Sequence, residues 1–64
     1  MKFYEIAGKN LNEDWETIAD SFKTLKQAIN FCKKINKEEW SDIDINLIVD
    51  DDLKETYDTN GKVR

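Results

Sequence analysis

The segment WETIADSF (Trp15–Phe22) has two readings, and the architecture of the 64-residue chain turns on the choice. Leu11, Trp15, Ile18, Phe22, Leu25, Ile29 and Cys32 recur at steps of four and three, the spacing of one long amphipathic helix. Against that stand Thr17, Asp20, Ser21 and Thr24, clustered within eight residues. Their short polar side chains compete for backbone hydrogen bonds and weaken a helix. Asp20 and Ser21 also interrupt the pattern where a second helix would start. We therefore read Trp15–Phe22 as a strand.

The flanking segments supply its partners. KFYEIA (Lys2–Ala7) is rich in aromatic and β-branched residues and reads as a strand ending at Gly8, with KNLNED as the turn that leads to Trp15. Downstream, Thr24 is placed to cap a helix, with Gln27 at the capping-box position. At about 100° per residue, Leu25, Ala28, Ile29, Phe31, Cys32 and Ile35 fill one arc of that helix. The lysines occupy the other arc, and the helix is expected from Leu25 to about Lys37. DIDINLIVD (Asp42–Asp50) alternates with a period of two, so Ile43, Ile45, Leu47 and Val49 share one face while Asp42, Asp44, Asn46 and Asp50 share the other. Asp50–Asp52 is a turn, LKETYDT (Leu53–Thr59) a returning strand, and Asn60–Gly61 a tight turn. The fold class is thus α+β: a single β-β-α-β-β domain over residues 1–64, an antiparallel sheet with one helix packed on one face. Its expected core is Phe3 or Tyr4, Ile6, Ile18, Phe22, Leu25, Ala28, Ile29, Cys32, Ile35, Ile43, Ile45, Leu47 and Val49.

Composition limits the functions available. At 39% apolar and 38% charged, the chain is too apolar for disorder. No apolar run approaches the ~20 residues that span a bilayer, and MKFYEIAG lacks the apolar stretch of a signal peptide. One cysteine forms no internal disulfide, so the expected location is the cytoplasm. The absence of histidine removes the usual neutral-pH base and the commonest metal ligand. Cys32 falls within the apolar arc and reads as a core residue rather than a nucleophile. DDDLKETYDTNG fails as a calcium loop, because Lys54 takes a ligand position, Glu55 replaces the glycine and Gly61 the final glutamate. No enzymatic activity, metal or cofactor is expected.

Two charged surfaces remain. SFKTLKQAINFCKKINK (Ser21–Lys37) holds Lys23, Lys26, Lys33, Lys34 and Lys37 with no acidic residue; of a net charge of −4 it contributes +5, so the remainder carries −9. Phosphate contact with nucleic acid through these lysines ranks behind the alternative. The rest of the molecule repels a polyanion, and the one arginine, Arg64, is at the end of the sequence. The acidic side is the better candidate: Asp42, Asp44 and Asp50 are expected to point outward together from one strand face, the Asp50–Asp52 turn (Asp50, Asp51, Asp52) continues the charge, and Trp40 is nearby, either plugging the core or standing out as an anchor. The expectation is a small acidic protein-binding module whose partner presents a basic surface. An inhibitor carried by a phage or other mobile element fits the size and charge. A monomer or a homodimeric structural protein are the further alternatives.

Overall fold

The computed structural model describes residues 1–64. It contains β1 (Lys2–Asn10), β2 (Trp15–Phe22), α1 (Leu25–Cys32), β3 (Trp40–Val49) and β4 (Asp52–Tyr57), with a short 3-10 turn, Lys37–Glu39, leading into β3. The strands form one antiparallel sheet in the order β2-β1-β3-β4. Two hairpins are joined through the central β1–β3 pair, and α1 lies on one face, so the fold is the α+β arrangement expected. No helix is long and apolar enough to cross a membrane.

Trp15–Phe22 is a strand, and its irregularity explains the helix-like spacing. The β1–β2 register shifts on either side of the Ile6–Ala19 pair, and Ser21 adopts φ 68°. The residues that spoil a helix here accommodate β-bulges, which re-aim side chains along the strand. Trp15, opposite Lys9, faces away from the helix, while Ile18 and Phe22 pack against the core.

The helix begins as expected: Thr24 Oγ1 accepts from the Gln27 N–H at 3.2 Å, and Gln27 Oε1 accepts from the Lys23 N–H at 3.0 Å. It ends earlier, at Cys32 rather than Lys37. Asn36 leaves helical space at φ −73°, ψ 102°, and its side chain accepts from the Glu38 N–H at 3.1 Å, starting the 3-10 turn instead. A short polar side chain that bonds its own backbone favours such a turn over helix continuation. Lys34 and Lys37 therefore lie beyond α1 and do not occupy its last turn. β1 in turn is longer than expected. Gly8 lies inside it, opposite Ile43, and the strand runs to Asn10.

Tyr4, Ile6, Ala28, Cys32, Ile43 and Ile45 are sealed, with Ile18, Phe22, Leu25, Ile35 and Leu47 packed around them. One expected member needs correction: Val49 lies outside the cluster. Of the two candidates Phe3 and Tyr4, Tyr4 is the core residue, and Phe3 pairs with Ile48 on the opposite face. Ile29 packs half-buried against the core and also meets the turn that follows β4. There Asp58 Oδ1 accepts from the N–H groups of Asn60 at 2.9 Å and Lys62 at 3.0 Å, and Gly61 takes φ 86° against Ile29 and Leu25. Those bonds to the ionised form hold the Asp58 carboxyl below its usual range. Phe31, Trp40 and Tyr57 also pack on the core, the Phe31 ring tilted 54° to that of Phe22 with ring centres 5.3 Å apart.

Gly8 marks the tightest packing. A Cβ there would overlap the Trp40 indole and lie 2.6 Å from Ile18 Cδ1. Gly8→Ala should therefore cost roughly 1–3 kcal/mol through overpacking, read as a lower urea midpoint. An unchanged midpoint would mean that Trp40 does not seat on β1. Cys32 is 1% exposed, and burial pushes its thiol above the ordinary range against a smaller opposing pull from Lys37. Its alkylation by iodoacetamide at pH 8 should track global unfolding across a urea series; fast labelling of the native protein would contradict this packing.

Candidate functional site

With α1 on one side, the other side of the sheet has no layer over it. Period-two geometry sends Phe3, Glu5, Ala7 and Lys9 of β1 to this open face. Opposite them on β3 stand Ile48, Asn46, Asp44 and Asp42. Leu53 and Thr56 of β4 continue the rows beside Ile48 and Asn46, and Trp15 and Thr17 of β2 those beside Lys9 and Ala7. A polar ladder crosses the middle: Thr56 Oγ1 donates to Asn46 Oδ1 at 2.9 Å and Asn46 Nδ2 donates to Glu5 Oε1 at 3.2 Å. Trp15 and Leu53 remain 49% and 59% exposed and border one shallow concavity together with Asp44 and Glu5. Two large apolar side chains are thus left wet on either side of a satisfied polar ladder. Sequence reasoning missed this face, because Trp15 fitted a helical core stripe and Leu53 a strand of unassigned facing.

The acidic residues do not form one surface. Asp42 and Asp44 lie on the open face near one end of β3. Asp50 and Asp51 form the β3–β4 turn at the other end, with both φ angles positive, at 51° and 70°. At about 3.3 Å per residue, eight residues of strand separate Asp42 from Asp50 by about 26 Å. Asp50 is therefore not carried outward by strand alternation. It accepts from the amino group of Met1 instead. Asp52 opens β4 opposite Val49 and is exposed. Trp40 is half-buried over Gly8 and seals the end of the core. Lys23, Lys26, Lys33, Lys34 and Lys37 are all exposed and none is in an ion pair. Lys26 lies on α1 and Lys23, Lys33 and Lys34 flank it, whereas Lys37 borders a cavity shared with Asp42 and Arg64; with Lys9 beside Asp42, the open face carries both signs of charge.

The Asp42–Asp44 pair is engaged by Arg64. β4 ends at Tyr57, opposite Ile45, so β3 has no neighbour on that side from Ile43 onward. Side chains cap this bare edge. The Ile43 N–H donates to Asp42 Oδ1 at 2.9 Å, and Arg64 Nη2 donates to the Ile43 carbonyl at 3.1 Å and to Asp42 Oδ1 at 3.2 Å. Arg64 Nε lies 2.6 Å from Asp44 Oδ1. That contact is a short ion pair to an oxygen closed off from water. Asp44 is thus far from the freely solvated carboxylate its alternation suggests. Burial raises its pKa above the ordinary value, Arg64 pulls it down, and Asp42 adds to the rise.

A carboxyl whose native pKa is raised binds its proton more tightly when folded, so its share of stability falls as pH rises through the raised pKa. Asp44→Asn should remove that loss. At pH 7 the variant gives up its ion pair with the 42%-exposed Arg64 but puts a neutral amide where a largely buried carboxylate stood, so it should stay within about 1 kcal/mol of wild type. Its stability should also fall less than wild type's between the usual carboxylate pKa and neutrality. Urea midpoints from pH 3.5 to 7.5 measure both, and a variant weaker at pH 7 than at pH 4, relative to wild type, would reverse the assignment.

Compared with known proteins, the chain matches no family model, no curated protein and no solved structure.

Proposed function

We propose that this chain is a non-enzymatic protein-binding module that docks the open face of its sheet on a partner presenting a basic surface. One observation carries the reading: Trp15 and Leu53 stand exposed around the same concavity as the carboxylates of Glu5 and Asp44. Aromatic and aliphatic anchors fill partner pockets at interface centres. Carboxylates beside them select a basic partner and speed its approach. The lack of histidine and the burial of Cys32 favour binding over chemistry, and a lone reduced thiol suits the cytoplasm. Occupying a partner's basic surface in this way is how a small inhibitor acts. The acidic β3–β4 turn lies at one end of the face and extends its attraction to positive charge.

The test compares three proteins in binding to the partner recovered from the source cell: wild type, Trp15→Thr/Leu53→Thr, and Lys26→Ala/Lys33→Ala/Lys34→Ala. Threonine keeps strand propensity at both exposed positions, so the fold is retained. The open-face variant should bind at least about tenfold more weakly, because losing one good anchor costs more than ~1.4 kcal/mol. The lysine variant should bind within about twofold of wild type. Equal binding by the open-face variant, or loss confined to the lysine variant and relieved by nuclease, overturns the proposal. Sedimentation of wild type as a dimer that the open-face variant dissolves would also overturn it, since the face would then meet a second copy of the chain.

A further inference from the structure

The concavity of the open face is walled on two sides and low between them. Trp15 on β2 and Leu53 on β4 stand at its sides, and Ala7, Thr17 and Thr56 give it a floor of short side chains. β2 and β4 are the outer strands of the sheet, three strand spacings or about 14 Å apart. An α-helix with its side chains is about 10–12 Å across, so one helix fits between the walls. The charge around the concavity has one sign: Glu5, Glu16 and Asp44 line it, and no lysine or arginine does. Arg64 balances Asp44. Glu5 and Glu16 take bonds from the neutral amides of Asn46 and Asn10 instead, and neither is in an ion pair.

The main chain decides what form the occupant takes. β1 and β3, beneath the middle of the concavity, are each bonded to a strand on both sides and offer no main-chain group upward. An extended segment laid across them would lose water from its own N–H and C=O groups without finding partners. Pairing at an edge is hindered too. β2 carries register shifts, Ser21 at φ 68° and the exposed Glu16 and Asp20, all of which deter strand addition. The Val63–Arg64 segment borders β4 at Tyr57 and Thr56. A helix needs neither route, because its main chain bonds to itself. The α1 helix of a second copy does not fit: its apolar side covers its own core, and Lys26, Gln27 and Asn30 face outward without an apolar stripe.

We propose that the concavity receives an amphipathic helix of the basic partner, seated between Trp15 and Leu53 with lysine or arginine beside Glu5 and Glu16. The assignment rests on the open-face reading and names the element recognised there. The docked helix adds a second helical layer, opposite α1, to a sheet covered on one side.

The probe is an acetylated, amidated peptide of alanine, leucine and lysine with its leucines along one helical face, about 16 residues long so that it holds a helix. Its controls are the same composition scrambled and the same sequence broken by central prolines. Each is titrated into the full chain while backbone amide and indole shifts are followed by NMR. The helical peptide should give saturable shifts centred on Ala7, Thr17, Asn46, Thr56 and the Trp15 indole, and both controls should bind at least about fivefold more weakly. Thr17→Tyr fills the floor and keeps strand propensity at an exposed position. It should weaken the helical peptide, and the partner recovered from the source cell, by at least about tenfold, whereas Thr17→Val should stay within about twofold of wild type. Glu5→Gln/Glu16→Gln, which blocks nothing, should weaken the peptide about threefold at low salt. Equal binding by the proline peptide, no saturable binding by the helical one, shifts centred on Asp50–Asp52, or full binding by Thr17→Tyr overturns the helix assignment. If it falls while Trp15→Thr/Leu53→Thr still loses the partner, the binding face stands and its occupant is not a helix. If that double variant keeps the partner, the open-face reading falls as well.

Discussion

Ile6 and Ile45 lie opposite each other on the two central strands, and both are fully closed to water. Removing each side chain from water stabilises the fold by about 1.5–3 kcal/mol, a large share of the margin available to a domain this small. The pair also sets the register. A slip of one residue would send both side chains to the open face and bring Ala7 or Asp44 beneath the helix. Every feature of the open face is a consequence: Glu5 meets Asn46, Ala7 meets Asp44, and Phe3 meets Ile48 because Ile6 meets Ile45. The surface that could bind a partner is the reverse side of the core.

The same register separates charge. The helix layer carries its lysines outward, and the far side of the sheet carries Glu5, Asp42 and Asp44. A net charge of −4 is therefore a poor description of either surface. At ordinary ionic strength each side is largely screened from the charges on the other, so a ligand meets mainly the charges of the side it approaches.

Much of this architecture was legible because period and turn chemistry act locally. The alternation of Ile43, Ile45 and Leu47 predicts β3, and Thr24 with Gln27 marks where the helix starts. Thr17, Asp20 and Ser21 identify β2 against an apolar spacing that suggests a helix. What escaped depended on contacts distant in sequence. Gly8 resembled a strand end, but it is small because Trp40, thirty-two positions later, packs over it. The helix end was misplaced because Asn36 prefers to cap a 3-10 turn, a choice that competes with an otherwise continuous apolar arc. Trp15 has the same composition signal whether its face is covered or bare, and only the side chosen by the helix separates the cases. The acidic residues were adjacent in sequence but are divided by the length of β3, which alternation alone does not reveal.

The side chains around Ile43 protect an edge of the sheet. β4 is shorter than β3, so the N–H and carbonyl of Ile43 face outward without a strand partner. Exposed groups of this kind invite pairing with another chain. Asp42 covers the N–H, and in doing so places a carboxylate at the edge. Arg64 covers the carbonyl and balances that carboxylate, and it draws in Asp44 from two residues away. A lysine could neutralise the charge, but it could not reach a carbonyl and two carboxylates in one plane. The residues that keep the edge from pairing are therefore also the ones that hold the Arg64 guanidinium. Asp42 and Asp44 are in turn held by β3, and β3 is held by Ile45.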